Sequence, residues 1–253
     1  MKSIKLLHAG FLLFAINLSY SQKDLSKYDN LDGIHITSYW GDIKLKGGSN
    51  NVFTLNAVYT DISKKSKKLK ELDFYVSVEL KNKTLYITNR KPKGFESIDL
   101  DLQIPNTLFV EIKLIRGGNI NVNDVHNGIE VNCFNGSVDL KNIGEYAFVN
   151  AANGEVKVNF KSINKSMPIS LVTMNGGITV ELPENTKREI RLLSRKNGYI
   201  LSDFKLKSKT PMNNLNVVKH SKDPIVTTTS INGGGALLFL STENGPITIN
   251  KKS

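Results

Sequence analysis

Apolar and polar residues alternate in short runs along most of this chain. The alternation is clear over residues 98–104, 108–114, 156–160 and 178–182. A period of two places every second side chain on the same face, which is typical of β-strands with one buried face. Helical periodicity is nearly absent, and the only candidate helix is a weak, lysine-rich segment at residues 62–72. The pattern predicts an all-β protein.

The corners between these runs share a sequence. Asn-Gly occurs seven times, and five copies open an alternating run, at Asn135, Asn153, Asn175, Asn197 and Asn244. Both residue types tolerate the positive φ angles of tight turns. The first four of these copies follow one another in steps of 18, 22 and 22 residues. Recurring units of this size bury their apolar faces by stacking on one another. The spacing predicts a β-solenoid with short Asn-Gly corners and an insertion such as residues 205–223.

Residues 1–21 have the pattern of a secretory signal peptide. Two lysines precede a largely apolar stretch at residues 6–18, and Ser19 and Ser21 supply small residues at the −3 and −1 positions of a cleavage site. The apolar stretch is short for a membrane span. We therefore expect cleavage after Ser21, which leaves residues 22–253 as one exported domain without a transmembrane segment. An uncleaved N-terminal anchor is the alternative.

The alternation also predicts which residues form the core. Eight residues are expected to point inward and to stack as ladders: Ile120, Val122, Val138, Leu140, Val156, Val158, Ile178 and Val180. Trp40 is in register with Ile34 and Ile36, which favours core packing over a sugar-stacking platform. The single cysteine, Cys133, can form no intramolecular disulfide and alternates with apolar residues. We expect its thiol to be buried.

No constellation of residues indicates catalysis. His35, His126 and His220 lie far apart in the sequence and lack the spacing of metal ligands. Asp99 and Asp101 share one strand face but alternate with leucines, as solvent-facing residues do. The lyases and glycosidases that also use β-helical folds need clustered carboxylates. We therefore expect no catalytic residues, no metal and no cofactor, with a glycan-active enzyme as the alternative.

The charge of the chain is strongly positive. The net charge is +11, and removal of the two lysines of the signal peptide leaves +9. The densest run of cations contains Lys64, Lys65, Lys67, Lys68 and Lys70. Such a run is commonly a solvated surface. The alternative is a surface for an anionic partner, such as an acidic glycan, lipopolysaccharide or another envelope component. Nucleic acid is not expected, because aromatic residues do not interleave these lysines and an exported protein seldom meets it.

A resemblance to a known family covers residues 34–250 and is strongest from residue 98. The segment Ile98-Asp-Leu-Asp-Leu-Gln-Ile-Pro-Asn is followed by Val110-Glu-Ile-Lys-Leu and then by Gly-Asn-Ile-Asn-Val and Asn-Gly-Ser-Val-Asp-Leu units. This order resembles the bacterial putative-adhesin family of β-strand-repeat proteins. The resemblance implies an irregular, single-domain parallel β-helix or β-roll that is exported to the cell envelope and has no defined catalytic residues.

These features predict an exported, non-enzymatic β-solenoid with an adhesive, scaffolding or ligand-binding role at the bacterial cell envelope. Its expected location is the periplasm, the outer cell surface or the medium. Two other classes compete with this prediction. One is the glycan-active β-helix enzyme, a lyase or hydrolase, and the other is a periplasmic regulatory or signalling component.

Overall fold

The computed structural model describes residues 19–28, 30–48, 52–61, 75–91, 96–196, 198–206, 217–218 and 225–252. The candidate helix at residues 62–72 and the lysine run from Lys64 to Lys70 lie outside the described residues. Asn197, His220 and most of the predicted insertion also lie outside them. The elements bounded within the described residues are β-strands, so the prediction of an all-β protein is confirmed.

The strands carry the alternation seen in the sequence. In β15, for example, buried and partly exposed side chains alternate without interruption. In chain order the strands are β1 Ser19–Asp24, β2 Gly33–Trp40, β3 Ile43–Gly48, β4 Thr54–Asp61, β5 Val76–Lys81, β6 Thr84–Asn89, β7 Glu96–Pro105, β8 Phe109–Gly117, β9 Ile120–Asn123, β10 Ile129–Asn135, β11 Val138–Ile143, β12 Ala147–Asn153, β13 Val156–Phe160, β14 Ile169–Asn175, β15 Ile178–Pro183, β16 Arg188–Lys196, β17 Ile200–Ser202, β18 Val217–Val218, β19 Ile225–Ile231, β20 Leu237–Asn244 and β21 Ile247–Lys252.

The strands form two sheets whose buried faces share one hydrophobic core. Sheet A has eleven described strands in the order β1-β4-β7-β3-β9-β11-β13-β15-β21-β17-β18. Sheet B has ten in the order β19-β16-β20-β14-β12-β10-β8-β2-β6-β5. Strands in the middle of each sheet are parallel, whereas β1, β4, β5, β18 and β19 pair antiparallel near the sheet ends. Both sheets are therefore mixed.

From β6 to β17 the chain alternates between the sheets and builds a stack of rungs. A rung is a strand of sheet B, the connection after it and the next strand of sheet A. Four central rungs, from β8–β9 to β14–β15, lie in chain order. The rung β2–β3 instead lies between β6–β7 and β8–β9, and the rung β20–β21 lies between β14–β15 and β16–β17. The rungs β2–β3 and β20–β21 are thus inserted between other rungs, and the stack as a whole does not follow chain order.

The eight residues predicted to point inward are all buried, with exposed fractions of 2% or less. They form two ladders across β9, β11, β13 and β15, namely Ile120–Val138–Val156–Ile178 and Val122–Leu140–Val158–Val180. Each fully buried aliphatic side chain contributes about 1.5–3 kcal/mol of transfer free energy. The ladders are therefore a main source of stability. Cys133 is buried as predicted, and burial raises the pKa of its thiol to about 11.

Trp40 is not in the core, and the prediction for this residue is wrong. The pairing of β2 with β8 shifts between Ser38 and Trp40, so the alternation set by Ile34 and Ile36 ends there. A bulge of this kind turns a side chain away from the face that the pattern assigns to it. The indole ring is half-buried, and the guanidinium carbon of Arg116 lies 4.8 Å from its centroid.

Four Asn-Gly corners, at Asn135, Asn153, Asn175 and Asn244, lie along one edge of the stack, which we call the corner edge. Six glycines with positive φ follow one another there: Gly41, Gly118, Gly136, Gly154, Gly176 and Gly245. A Cβ atom built on Gly136 would lie 1.7 Å from the carbonyl oxygen of Gly118, and one on Gly154 would lie 2.0 Å from that of Gly136. No side chain fits at such distances, so the stacking of rungs itself requires glycine at these positions.

Four of these glycines follow an asparagine, and these four asparagines form a hydrogen-bonded ladder. The side-chain amide of Asn153 donates to Asn135 at 2.7 Å, and Asn175 donates to Asn153 at 2.7 Å. Asn244 donates to Asn175 at 2.8 Å, although it is 69 residues away in sequence. At the other end, Asn135 donates to the backbone carbonyl oxygen of Arg116 at 2.8 Å. The ladder ties neighbouring rungs together.

We expect Asn153→Ala to lower the free energy of unfolding by about 1–2 kcal/mol, because it removes two amide hydrogen bonds. Urea denaturation monitored by circular dichroism measures the change. Asn150→Ala is a matched control, because Asn150 is exposed on the same strand. Equal destabilisation by the two substitutions would contradict a stabilising role of the ladder.

Strand β1 crosses the predicted cleavage position after Ser21. Its last three residues, from Gln22 to Asp24, pair with residues 54–56 of β4 and remain in the chain after such a cleavage. Cleavage itself stays a prediction. None of the described residues forms a helix long and apolar enough to cross a membrane.

Candidate functional site

The edge opposite the Asn-Gly corners carries the loops that return from sheet A to sheet B, and we call it the loop edge. Its central loops are residues 124–128, 144–146, 161–168 and 184–187, and the turn 232–236 between β19 and β20 lies beside the last of them. Loops positioned by a rigid scaffold are common binding surfaces. Two adjoining cavities open between the loops of this edge.

The first cavity has a volume of about 490 Å³. Its wall includes Lys46, Asn106, Asp124, His126 and Lys161, which come from the ends of strands in sheet A and from the loops after them. The ammonium group of Lys161 reaches across the stack and lies 3.4 Å from Nε2 of His126. The wall therefore carries two lysines against one aspartate, together with polar side chains.

The second cavity has a volume of about 720 Å³ and lies between the loop 161–168, the loop 184–187 and the turn 232–236. Its wall includes the cations Lys161, Lys165, Lys187 and Arg188. No aspartate or glutamate lies among the described residues that line it. Since Lys161 lines both cavities, the two form one cationic surface along the loop edge.

Arg188 is the most unusual of these cations, because its exposed fraction is 1%. Its Nη1 donates to the carbonyl oxygen of Met167 at 2.7 Å, and Nη2 donates to that of Asn164 at 2.5 Å. Burial lowers the pKa of the guanidinium. An arginine nevertheless stays charged in proteins. The side chain therefore places a positive charge in the wall of the second cavity and holds the loop 161–168 in place.

The turn 232–236 lies against the loop 184–187, which leads into Arg188. Asn232 donates from its side chain to the carbonyl oxygens of Glu184 and Thr186 at 3.0 and 2.9 Å. A Cβ atom on Gly235 would lie 2.6 Å from the carbonyl oxygen of Lys187. The sequence Gly233-Gly234-Gly235 thus forms a corner, and its last glycine allows two loops to meet at the cavity.

Among the described residues, the histidines and acids singled out in the sequence do not come together. His35 lies on the outer face of sheet B, where its Nδ1 is 2.9 Å from a carboxylate oxygen of Glu111, a partner that the sequence did not reveal. Asp99 accepts a hydrogen bond from the backbone N–H of Asp42 at 2.8 Å, and burial raises the pKa of its carboxyl group. Asp101 is exposed. Across the described part of the chain, no three His, Cys, Asp or Glu side chains are grouped to hold a metal ion.

Sequence reasoning found the lysine run but missed the cationic loop edge. The missed residues include Lys165 and Lys187, which stand on two loops that are neighbours in space but one whole rung apart in the sequence. No local concentration of charge in the sequence therefore marks them. One signal was available: Lys165 and Lys187 are 22 residues apart, which equals the repeat step between Asn153 and Asn175. Residues one step apart in a stacked repeat lie side by side.

Comparison with solved structures confirms the resemblance to bacterial adhesins at the level of the fold. A putative cell adhesion protein from Clostridium sporogenes superposes with a TM-score of 0.54 at 13% identity, covering 93% of this chain and 100% of that one. A putative adhesin from Bacteroides fragilis gives a TM-score of 0.48 at 13% identity, covering 94% of this chain and 98% of that one. No protein-family model and no curated protein matches the sequence.

Proposed function

We propose that this protein is an exported, non-enzymatic adhesion protein of the bacterial cell envelope that binds an anionic polymer along its loop edge. The Clostridium sporogenes structure is named as a putative cell adhesion protein, which supports the adhesive role. The pattern of residues 1–21 supports export. The four central rungs in chain order support classification of the middle of the stack as a parallel β-solenoid.

The observation that carries the proposal is the excess of cations among the described residues that line the two cavities of the loop edge. Five cationic side chains line the two cavities, whereas Asp124 is the only carboxylate among their described lining residues. Cavities lined by one sign of charge concentrate ions of the opposite sign. Because the cavities share Lys161, successive units of one polymer reach both. A repeating polyanion therefore fits this surface better than a single small ion does.

Charge reversal on the loop edge tests the proposal. We expect the double variant Lys161→Glu, Lys165→Glu to weaken binding of polygalacturonate by about tenfold or more, since each reversed contact changes the interaction by about 1 kcal/mol or more. Binding by the unaltered protein should also weaken between 0.1 M and 1 M salt, because the Debye length falls from about 10 Å to about 3 Å. Biolayer interferometry on the immobilised polymer measures both effects.

Two variants with the same change in net charge serve as controls. Lys141→Glu with Lys157→Glu reverses two exposed lysines on the outer face of sheet A. Lys67→Glu with Lys68→Glu tests the lysine run. The proposal requires the loop-edge variant to lose much more affinity than the sheet-face variant. Equal losses would show that only net charge matters, and a loss confined to the lysine run would move the site there.

A further inference from the structure

Arg188 and Glu96 are the two charged side chains that are buried among the described residues, and their surroundings differ. The carboxylate of Glu96 is 3.0 Å from the guanidinium of Arg90 and accepts a hydrogen bond from Tyr59 at 2.9 Å. Among the described residues, Arg188 has only backbone carbonyl oxygens as hydrogen-bond partners, and it forms no ion pair with a carboxylate. A buried charge without a counterion costs several kcal/mol.

The position of Arg188 suggests what offsets this cost. The side chain lines the second cavity, and Lys165 and Lys187 of the same wall are exposed and make no ion pair with a described carboxylate. A guanidinium has five N–H donors in a planar fork, of which two already bind carbonyl oxygens. The remaining donors match an oxyanion, and Arg is the side chain best suited to bind a planar carboxylate through two hydrogen bonds.

We infer that the second cavity binds the carboxylate of a single acidic sugar unit against Arg188, so that the site recognises a uronic acid and not merely negative charge. This inference rests on the proposed function, since it specifies the polymer that the loop edge holds. Lys165 and Lys187 supply further charge around the carboxylate. The volume of about 720 Å³ has room for a sugar ring with its neighbours.

The geometry favours a glycan over an acidic peptide. Extended peptides bind by adding a strand to the edge of a sheet. The described walls of the second cavity are the loops 161–168 and 184–187 and the turn 232–236, and these offer no strand edge. Ile163 and Pro183 give the wall apolar patches beside the cations. An acidic sugar has the matching combination of apolar ring faces and one carboxylate.

The test uses the full-length mature protein and trigalacturonate as the probe, measured by isothermal titration calorimetry in 1 M NaCl. At this salt concentration the long-range attraction of a polyanion is screened, whereas hydrogen bonds in a buried site remain. We expect trigalacturonate to bind and its methyl ester, which has the same rings without the charges, to bind at least about tenfold more weakly. Equal binding of acid and ester would overturn the inference.

Two variants test the role of Arg188. Arg188→Lys keeps the charge but loses the fork, and we expect it to weaken trigalacturonate binding by about tenfold or more. Gly235→Ala changes no charge but forces the turn away from Lys187. It keeps the test valid if Arg188→Lys fails to fold. Thermal melts identify the folded variants. Folded variants that both bind like the unaltered protein would overturn the inference.

The outcomes separate this inference from the proposed function. If polygalacturonate binds in 0.1 M salt but trigalacturonate does not bind in 1 M salt, the loop edge is a general polyanion surface and the inference fails alone. If neither binds, the proposed function fails as well. Tighter binding of a sulfated trisaccharide, of inorganic phosphate or of tri-glutamate would overturn the assignment to a sugar carboxylate.

Discussion

Val158→Asp should unfold the protein or lower its free energy of unfolding by at least about 3 kcal/mol, because it places a carboxylate in a ladder of aliphatic side chains. Val158 has an exposed fraction of 2% and lies between Leu140 and Val180 in sheet A. The neutral form of the new side chain would also lack hydrogen-bond partners there. Chemical denaturation monitored by circular dichroism gives the change.

The matched variant is Lys157→Asp, one residue earlier on the same strand. Lys157 is exposed and forms an ion pair with Glu155, so its loss should change the free energy of unfolding by no more than about 1 kcal/mol. The two substitutions introduce the same side chain on opposite faces of β13. A stable Val158→Asp together with an unfolded Lys157→Asp would mean that the register is shifted by one residue.

Gly136→Ala is expected to have the second large effect, also about 3 kcal/mol or more. Its φ of 132° disfavours any side chain, and the added Cβ would lie 1.7 Å from the carbonyl oxygen of Gly118. Since this carbonyl belongs to the backbone of the neighbouring rung, relief requires the two rungs to separate. Separation would stretch the hydrogen bonds on which the sheets depend.

Gly233→Ala separates the effect of a positive φ from the effect of close stacking against a neighbouring rung. Gly233 also has a positive φ, 94°, but a Cβ there would have no atom within 4 Å. We expect Gly233→Ala to lower the free energy of unfolding by only about 1–2 kcal/mol, which is the cost of a side chain at a positive φ. Thermal unfolding of both variants measures the difference. If they were equally destabilised, close stacking of the corner glycines would contribute nothing.

The faces of the strands could be predicted from the sequence, whereas the order of the rungs could not. A side-chain period of two assigns Val156 and Val158 to the core without any knowledge of the partner strand. Rung order depends instead on which neighbour a rung selects. Ile247 pairs with Ile178 on one side and Ile200 on the other, and these three isoleucines are nearly equivalent as ladder partners. Local patterns carry no information that distinguishes such choices.

The same dependence on distant parts of the chain explains why the sequence misplaced Trp40 and did not reveal the cationic residues of the cavities. The bulge that turns Trp40 out of the core depends on how β2 meets β8, and β8 begins 69 residues after Trp40 in the chain. Lys161 and Arg188 meet at one cavity because the loops after β13 and β15 are stacked. Residue types alone left an anionic partner as an alternative to a solvated surface. The proposed place of binding became visible only from the three-dimensional stacking of loops that lie a repeat step apart.

The position of the rung β20–β21 has a consequence for the timing of folding. Translation releases the chain from its N-terminus, so residues 237–252 leave the ribosome after both of the rungs that they separate. Until then β14–β15 and β16–β17 lack the neighbour that lies between them, and the stack cannot grow by simple addition as synthesis proceeds. This part of the stack is therefore completed only after residues 237–252 have emerged, out of the order in which its rungs are synthesised.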